Sequence, residues 1–316
     1  MTTATSVRTA AASPFDLADE VAYCRWRAAK LAAAPRDVDE LIVDVADPFA
    51  LTLRERDALL ERCARANMAV YRGPASAADA SLPRALGRQL GLERLDANWL
   101  AEEDGISHIT VSDRSDGDGG RGGFIPYTDR AIRWHTDGYY HPAGRRIRGM
   151  ILHCVRPAAE GGVNALLDHE WVYIALRDAD PTHIAALMAD DAMTIPARED
   201  TVGGVARAAQ SGPVFSVDDD GALHMRYTAR TRSIIWKDDP ATRAAVAALE
   251  AVLAGDAAPA LRLKLDAGMG IVANNVLHER TAFVDDPARP RLLYRARYLD
   301  RVAPRAARGD AAWRNG

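Results

Sequence analysis

His135 and Asp137 are separated by one threonine in the stretch RWHTDGYY, close to the middle of the chain. In an extended segment side chains alternate between faces, so this imidazole and carboxylate point one way and Thr136 points the other. Two metal-capable groups then converge on one point. An imidazole nitrogen and a carboxylate oxygen suit a divalent metal of intermediate hardness, and two histidines with one carboxylate make the facial triad of non-haem iron(II) oxygenases. A third ligand is required. By itself His-x-Asp has low specificity, because a strand histidine or aspartate commonly serves local hydrogen bonds.

Among the eight histidines, His278 in MGIVANNVLHERTAF is the best third ligand. It ends a run that reads as a strand: Met269 and Gly270 are expected to turn, Ile271 to Ala273 to be extended, and Asn274-Asn275 to break the strand and let the chain kink toward a metal. RLLYRARYL follows. Alternation there puts Arg291, Leu293, Arg295 and Arg297 on one face and Leu292, Tyr294, Ala296 and Tyr298 on the other. Turned inward, the arginines need anions, and a guanidinium binds a carboxylate bidentately, which suits a dicarboxylate co-substrate. Turned outward, they make a solvated face behind a packed apolar one. The strand alone leaves both open. His141, His153, His169, His183 and His224 have neither the His-x-Asp context nor a downstream arginine strand, and surface or satisfied-core roles are expected for them.

The elements that must position these groups are short strands with a few helices. Thr52 and Glu55 have capping-box spacing ahead of a helix carrying Leu59, Leu60 and Cys63, which Asn67 should end, and MAVYRG then reads as a strand. IRGMILHCVRP is a strand, AAEGGVNALL a turn into another, and DHEWVYIALRDADP a helix capped by Asp168 and ended before Pro181. GPVFSVDDDGALHMRY reads as a hairpin with an Asp-Gly turn, and PATRAAVAALEAVLAG as a helix. Residues 112–123, SDRSDGDGGRGG, form a loop directly before the His-x-Asp strand, either a lid over the site or a surface excursion. The connections are too irregular for β-α-β alternation. They favour a mainly β fold, an antiparallel sandwich or jelly roll with helices outside it.

With 316 residues, 48% hydrophobic and 27% charged, the chain is ordinary for a globular protein. A net charge of −4 gives no global field favouring nucleic acid or anionic membrane. Three scattered cysteines fit a reducing cytoplasm, and no run of roughly 18 apolar residues supports membrane insertion. Residues 1–13 are expected to be a flexible tail and 14–316 one domain; a homo-oligomer is compatible with all of this.

WHTD, a downstream EGG-V-N, NNVLHERTAF and RPRLLYRAR together resemble the taurine dioxygenase-like (TauD/TfdA) family of iron(II)- and 2-oxoglutarate-dependent oxygenases, over roughly Met68 to Leu299. The ordered set is far more specific than any of its parts. The resemblance implies a double-stranded β-helix (jelly roll) in which His135, Asp137 and His278 hold iron(II), leaving room for 2-oxoglutarate and O2. It implies that Arg291 meets the far carboxylate of 2-oxoglutarate, with Arg289 a minor competitor. It also gives Asn164 a share of that carboxylate, at a position that is usually threonine in the family. Arg295 would approach the primary substrate, an anionic or zwitterionic small molecule, and Tyr139 and Tyr140 would line its apolar part or serve as core aromatics. The expected outcome is hydroxylation with release of succinate and CO2. Because Asp137 is present, halogenation is disfavoured. Two other classes use part of the same set: a jelly-roll metal-dependent hydrolase, which has no need of Arg291, and a non-catalytic binding protein with a retained metal site.

Overall fold

A computed structural model describes residues 13–96, 102–112, 124–199, 205–230, 233–255 and 259–302. The expected tail and the loop over 112–123 lie outside the described residues except for Ser13 and Ser112.

Two sheets face each other. In the larger, strands run in the order Ile42–Asp44, Met68–Arg72, Met269–Ala273, Gly149–Arg156, Leu292–Tyr298 and Ser107–Ile109. Its first pair is parallel and the remaining pairs are antiparallel. The smaller sheet orders Leu261–Leu263, Asn164–Leu167, Leu277–Arg280 and Ile132–His135, all antiparallel. Met150, Leu152, Ile271 and Leu293 of the large sheet pack on Leu166, Leu261 and Leu263 of the small one.

Helices close the outer faces. Leu53–Ala66 and Leu82–Gln89 cover the large sheet against Ile151, Val272, Ala296 and Tyr298. His169–Ala179, Pro181–Leu187 and Pro240–Ala254 cover the small sheet against Ala165, Leu167 and Leu277. The central strands are therefore buried on both faces, which is why MGIVA, and GMILHCV apart from the hydrogen-bonded His153, are apolar throughout rather than alternating. This is the sandwich of a jelly roll with flanking helices. No helix among the described residues is long and apolar enough to cross a membrane.

The local signals act as their chemistry requires. Thr52 and Glu55 form a complete capping box, and Asn67 ends that helix in the left-handed region at φ 58°. The acidic hairpin pairs Phe215–Val217 with Leu223–Met225, and Gly221 turns it at φ 82°. One reading needs correction and another an addition. Met269 and Gly270 lie inside a strand, and the turn comes earlier, at Gly268 with φ 86°. The helix capped by Asp168 ends at Ala179, before Pro181, as expected, but the residues after it, Pro181–Leu187, form a second helix capped by the Asp180 side chain that the sequence reading lacks.

Candidate metal centre and substrate cavity

His135 and His278 stand directly opposite each other in the small sheet, their ring centroids 4.1 Å apart. Asp137 follows just past the end of its strand, before Gly138 at φ 67°. One ligand atom from each of the three lies within 4.8 Å of the others. Backbone contacts fix both tautomers: His135 Nδ1 is 2.9 Å from the Arg133 carbonyl and His278 Nδ1 is 3.0 Å from the Val276 carbonyl. A carbonyl only accepts, so Nδ1 carries the proton and Nε2 presents a lone pair. Burial, reinforced by His278, pushes His135 down to about 3, and burial lowers His278 as well, so both rings are neutral at pH 7.

Burial works against ionisation of Asp137, but the charges of Arg295 and then Arg297 outweigh it and hold the carboxyl well below the usual range. Its Oδ1 pairs with Arg295 at 3.0 Å, whereas its Oδ2 is buried and has no hydrogen-bond partner among the described residues. An ionised oxygen left bare in the interior is costly unless a cation meets it. Two neutral imidazoles and this oxygen are the donor set that iron(II) takes, so the residues fit that metal.

Asn275 holds the carboxylate's backbone in place. At φ 50° it turns the chain, its Oδ1 accepts from the Asp137 amide at 2.7 Å, and its Nδ2 donates to the carbonyls of Asp137 and Ile147 at 2.9 and 2.7 Å. The asparagine pair was legible as a kink. That its side chain clamps Asp137 was not, since the partner lies far away in sequence.

A narrow cleft beside the two histidines is lined by Asn164, Arg280, Arg291 and Arg295. The Gly161-Gly162 turn delivers Asn164 to it; both glycines have φ 68°, and a Cβ on Gly161 would meet the Ala282 carbonyl at 2.3 Å. The Arg291 side chain is buried and no carboxylate pairs with it among the described residues, while Arg289 is exposed in the preceding turn. The inward reading of the arginine face is thus the observed one: Arg291, Arg295 and Arg297 are all buried. Arg280 escaped the sequence reading. Its guanidinium and that of Arg291 sit against the same Phe283 ring, at 4.7 and 5.0 Å, and burial followed by Arg291 pushes Arg280 down to about 9.

On the other side of the centre, a cavity of about 360 Å³ reaches His135, Asp137, Arg295 and Arg297. Tyr139 and Tyr140 line it, and both also pack on the neighbouring core. Arg295 therefore faces this cavity while bound to Asp137, and Arg297 donates to Tyr140 Oη at 2.9 Å. Among the histidines set aside, His153 and His169 are buried and hydrogen-bonded, as core histidines should be.

A jelly-roll sandwich with two histidines and one carboxylate converging beside a buried arginine defines a class of mononuclear metal enzymes. Residues 29–297 match the Taurine catabolism dioxygenase TauD, TfdA family, and the chain belongs to it. Among curated proteins it is 38% identical over 178 residues to a uridine-5'-phosphate dioxygenase from Streptomyces sp and 34% identical over 179 residues to one from Amycolatopsis sp. These alignments cover 54% and 55% of this chain and 62% of each relative. Solved structures with the same fold include the non-heme iron oxygenase OrfP in complex with Fe and alpha-ketoglutaric acid, at TM-score 0.56 and 19% identity over 78% of this chain and 80% of that one. Asparagine oxygenase in complex with Fe(II), 2S,3S-3-hydroxyasparagine and succinate matches at TM-score 0.52 and 15% identity over 90% and 91%.

Proposed function

We propose that the protein is an Fe(II)- and 2-oxoglutarate-dependent dioxygenase that oxidises, by hydroxylation in the first instance, a small anionic organic substrate. The observation that carries this is the bare, buried Oδ2 of Asp137 facing two histidines whose Nε2 atoms are free to coordinate. His135, Asp137 and His278 hold the metal. Arg291 and Asn164, in the cleft beside them, bind the far carboxylate of 2-oxoglutarate, and the unpaired guanidinium supplies the charge that such a ligand needs. When bound, iron and 2-oxoglutarate supply oxygen activation, with succinate and CO2 as co-products.

The chain's own residues bind and orient. Arg295 fixes one oxygen of Asp137 and leaves the other for the metal. Tyr139 and Tyr140 wall the substrate cavity and keep water from the metal-facing side. Uridine 5'-phosphate is the first substrate to try, on the strength of the two curated relatives and the arginines around the cavity. Three free cysteines, two of them buried, support a reducing cytoplasmic location.

Anaerobic titration of the iron-loaded protein with 2-oxoglutarate tests the assignment through the visible metal-to-ligand charge-transfer band. The band is expected in wild type, absent in His278→Ala, and shifted to much higher 2-oxoglutarate in Arg291→Ala. A folded, iron-loaded protein without the band rejects this function. Succinate release with uridine 5'-phosphate, compared with L-asparagine and L-arginine, then ranks the substrates.

A further inference from the structure

Arginine is the residue expected to receive the substrate's anion, yet the two arginines that the long strand sends into the substrate cavity already have partners. Arg295 is paired with Asp137 at 3.0 Å and Arg297 with Asp96 at 2.6 Å. The opposite wall differs. Thr228 forms an isolated β-bridge with His135, and the Ala229 amide donates to the Trp134 carbonyl at 2.8 Å, so this segment runs alongside the metal-binding strand. Arg230, next along it, lines the cavity and is half-buried, with no carboxylate partner among the described residues.

Arg207 approaches from a second element. Its guanidinium lies over the Tyr140 ring, 5.9 Å from the centroid. It donates to the Pro196 and Ala208 carbonyls at 2.6 and 3.2 Å, which leaves further N–H groups of its planar fork unused. No carboxylate pairs with it among the described residues. One guanidinium lining the cavity beside Tyr139 and Tyr140 and a second over the Tyr140 ring, neither with a carboxylate partner among the described residues, match a dianion on an otherwise uncharged, ring-bearing molecule.

We propose that Arg207 and Arg230 are the anion clamp for the primary substrate and grip a phosphate monoester, while Tyr139 and Tyr140 pack against the rest of the molecule. This rests on the dioxygenase reading for the identity of the site. It moves recognition of the anion away from Arg295, whose charge serves the metal carboxylate, and makes the clamp the determinant that favours a phosphorylated substrate over an amino acid.

Isothermal titration calorimetry with uridine 5'-phosphate and with uridine, on anaerobic protein carrying Fe(II) and 2-oxoglutarate, tests it. Wild type is expected to bind the phosphate ester roughly tenfold or more tightly than uridine, as expected for hydrogen bonds to a charged group. Arg207→Gln and Arg230→Gln should each erode that preference, and the double variant should abolish it, with uridine affinity and the charge-transfer band unchanged. Arg207→Lys, which keeps the charge but loses the planar fork, should retain more of the preference than Arg207→Gln and less than wild type, a graded order that a merely structural role for Arg207 would not predict. The clamp is overturned if wild type shows no preference for the phosphate ester or if the double variant keeps it. Calorimetry needs no turnover, so a missing charge-transfer band rejects the dioxygenase and leaves the clamp to be judged on binding alone.

Discussion

Arg291, just before the strand Leu292–Tyr298, and Arg297, near its far end, are both buried, yet the protein treats them in opposite ways. Arg297 meets Asp96, itself buried, which also pairs with Arg145 at 2.6 Å. Burial works against the Arg297 charge, but Tyr140, Asp137 and Asp96 more than compensate and hold its pKa above the usual value. Arg291 has the Phe283 ring against its guanidinium and no ion pair among the described residues, and burial, only partly offset by Cys154 and Asp285, pushes it down to about 10. One cation is neutralised by the chain itself. The other has no ion-pair partner among the described residues, which is what the proposed role in binding a carboxylate requires. Arg295, between them, has the metal carboxylate as its anion and so couples the two ends.

The largest expected effect breaks the structural end. Asp96→Ala strands a buried guanidinium, and loss of one partner of a buried pair costs about 3–5 kcal/mol. Chemical denaturation should show that loss with or without ligand. Arg291→Met gives the reverse pattern. It removes an unpaired buried charge, so the ligand-free protein should be as stable as wild type or more so. What it should lose is stabilisation by 2-oxoglutarate, about 2.7 kcal/mol at a hundredfold excess over Kd in anaerobic, metal-loaded protein. A ligand-free Arg291→Met protein that unfolds as easily as Asp96→Ala would erase the distinction.

Asn275→Ala probes the coupling between the ends at a smaller scale. The variant loses three buried hydrogen bonds around Asp137 and keeps a left-handed φ without the asparagine that tolerates it. A stability loss of about 1–3 kcal/mol is expected. Iron affinity, followed by competition with a chelator, should fall roughly 10–100-fold, as is typical when the support behind a metal ligand is removed.

Much of this was readable along the chain because it depends on neighbours. The Thr52–Glu55 capping box, the His-x-Asp pair and the Arg291/Arg295/Arg297 face are all local patterns. Which way the arginine face points is not local. Alternation separates the two faces, but helices outside and a second sheet inside bury both, so no solvated face exists to be read. The partners that decide each arginine's role are equally remote: Asp96 for Arg297, Asp137 for Arg295 and Thr128 for Arg280. The misplaced turn at Met269 has a similar cause, since a strand buried on both faces tolerates Gly270 where an exposed one would gain little from it.

The smallest expected effect is an acid one, and it is expected at the Asp96 end and not at the Arg291 end. The Asp96 carboxyl is held below its ordinary 3.8: burial opposes ionisation, and His141, Arg297 and Arg145 overcome it. In the unfolded chain that carboxyl takes up its proton near 3.8, while in the folded protein it stays ionised to lower pH. Its contribution to stability is therefore complete above that value and is lost as pH falls below it. At about pH 4.5 the difference in unfolding free energy between wild type and Asp96→Asn should still hold the full contribution of the carboxylate. By pH 3 it should shrink by about 1 kcal/mol. Arg291 makes no ion pair among the described residues and feels Asp285 through its field alone, so Arg291→Met should follow the wild-type acid profile more closely than Asp96→Asn does. If the Arg291→Met profile flattened below pH 4 as that of Asp96→Asn does, Arg291 would be drawing on an anion within the chain, and the contrast between the two ends of the strand would fail.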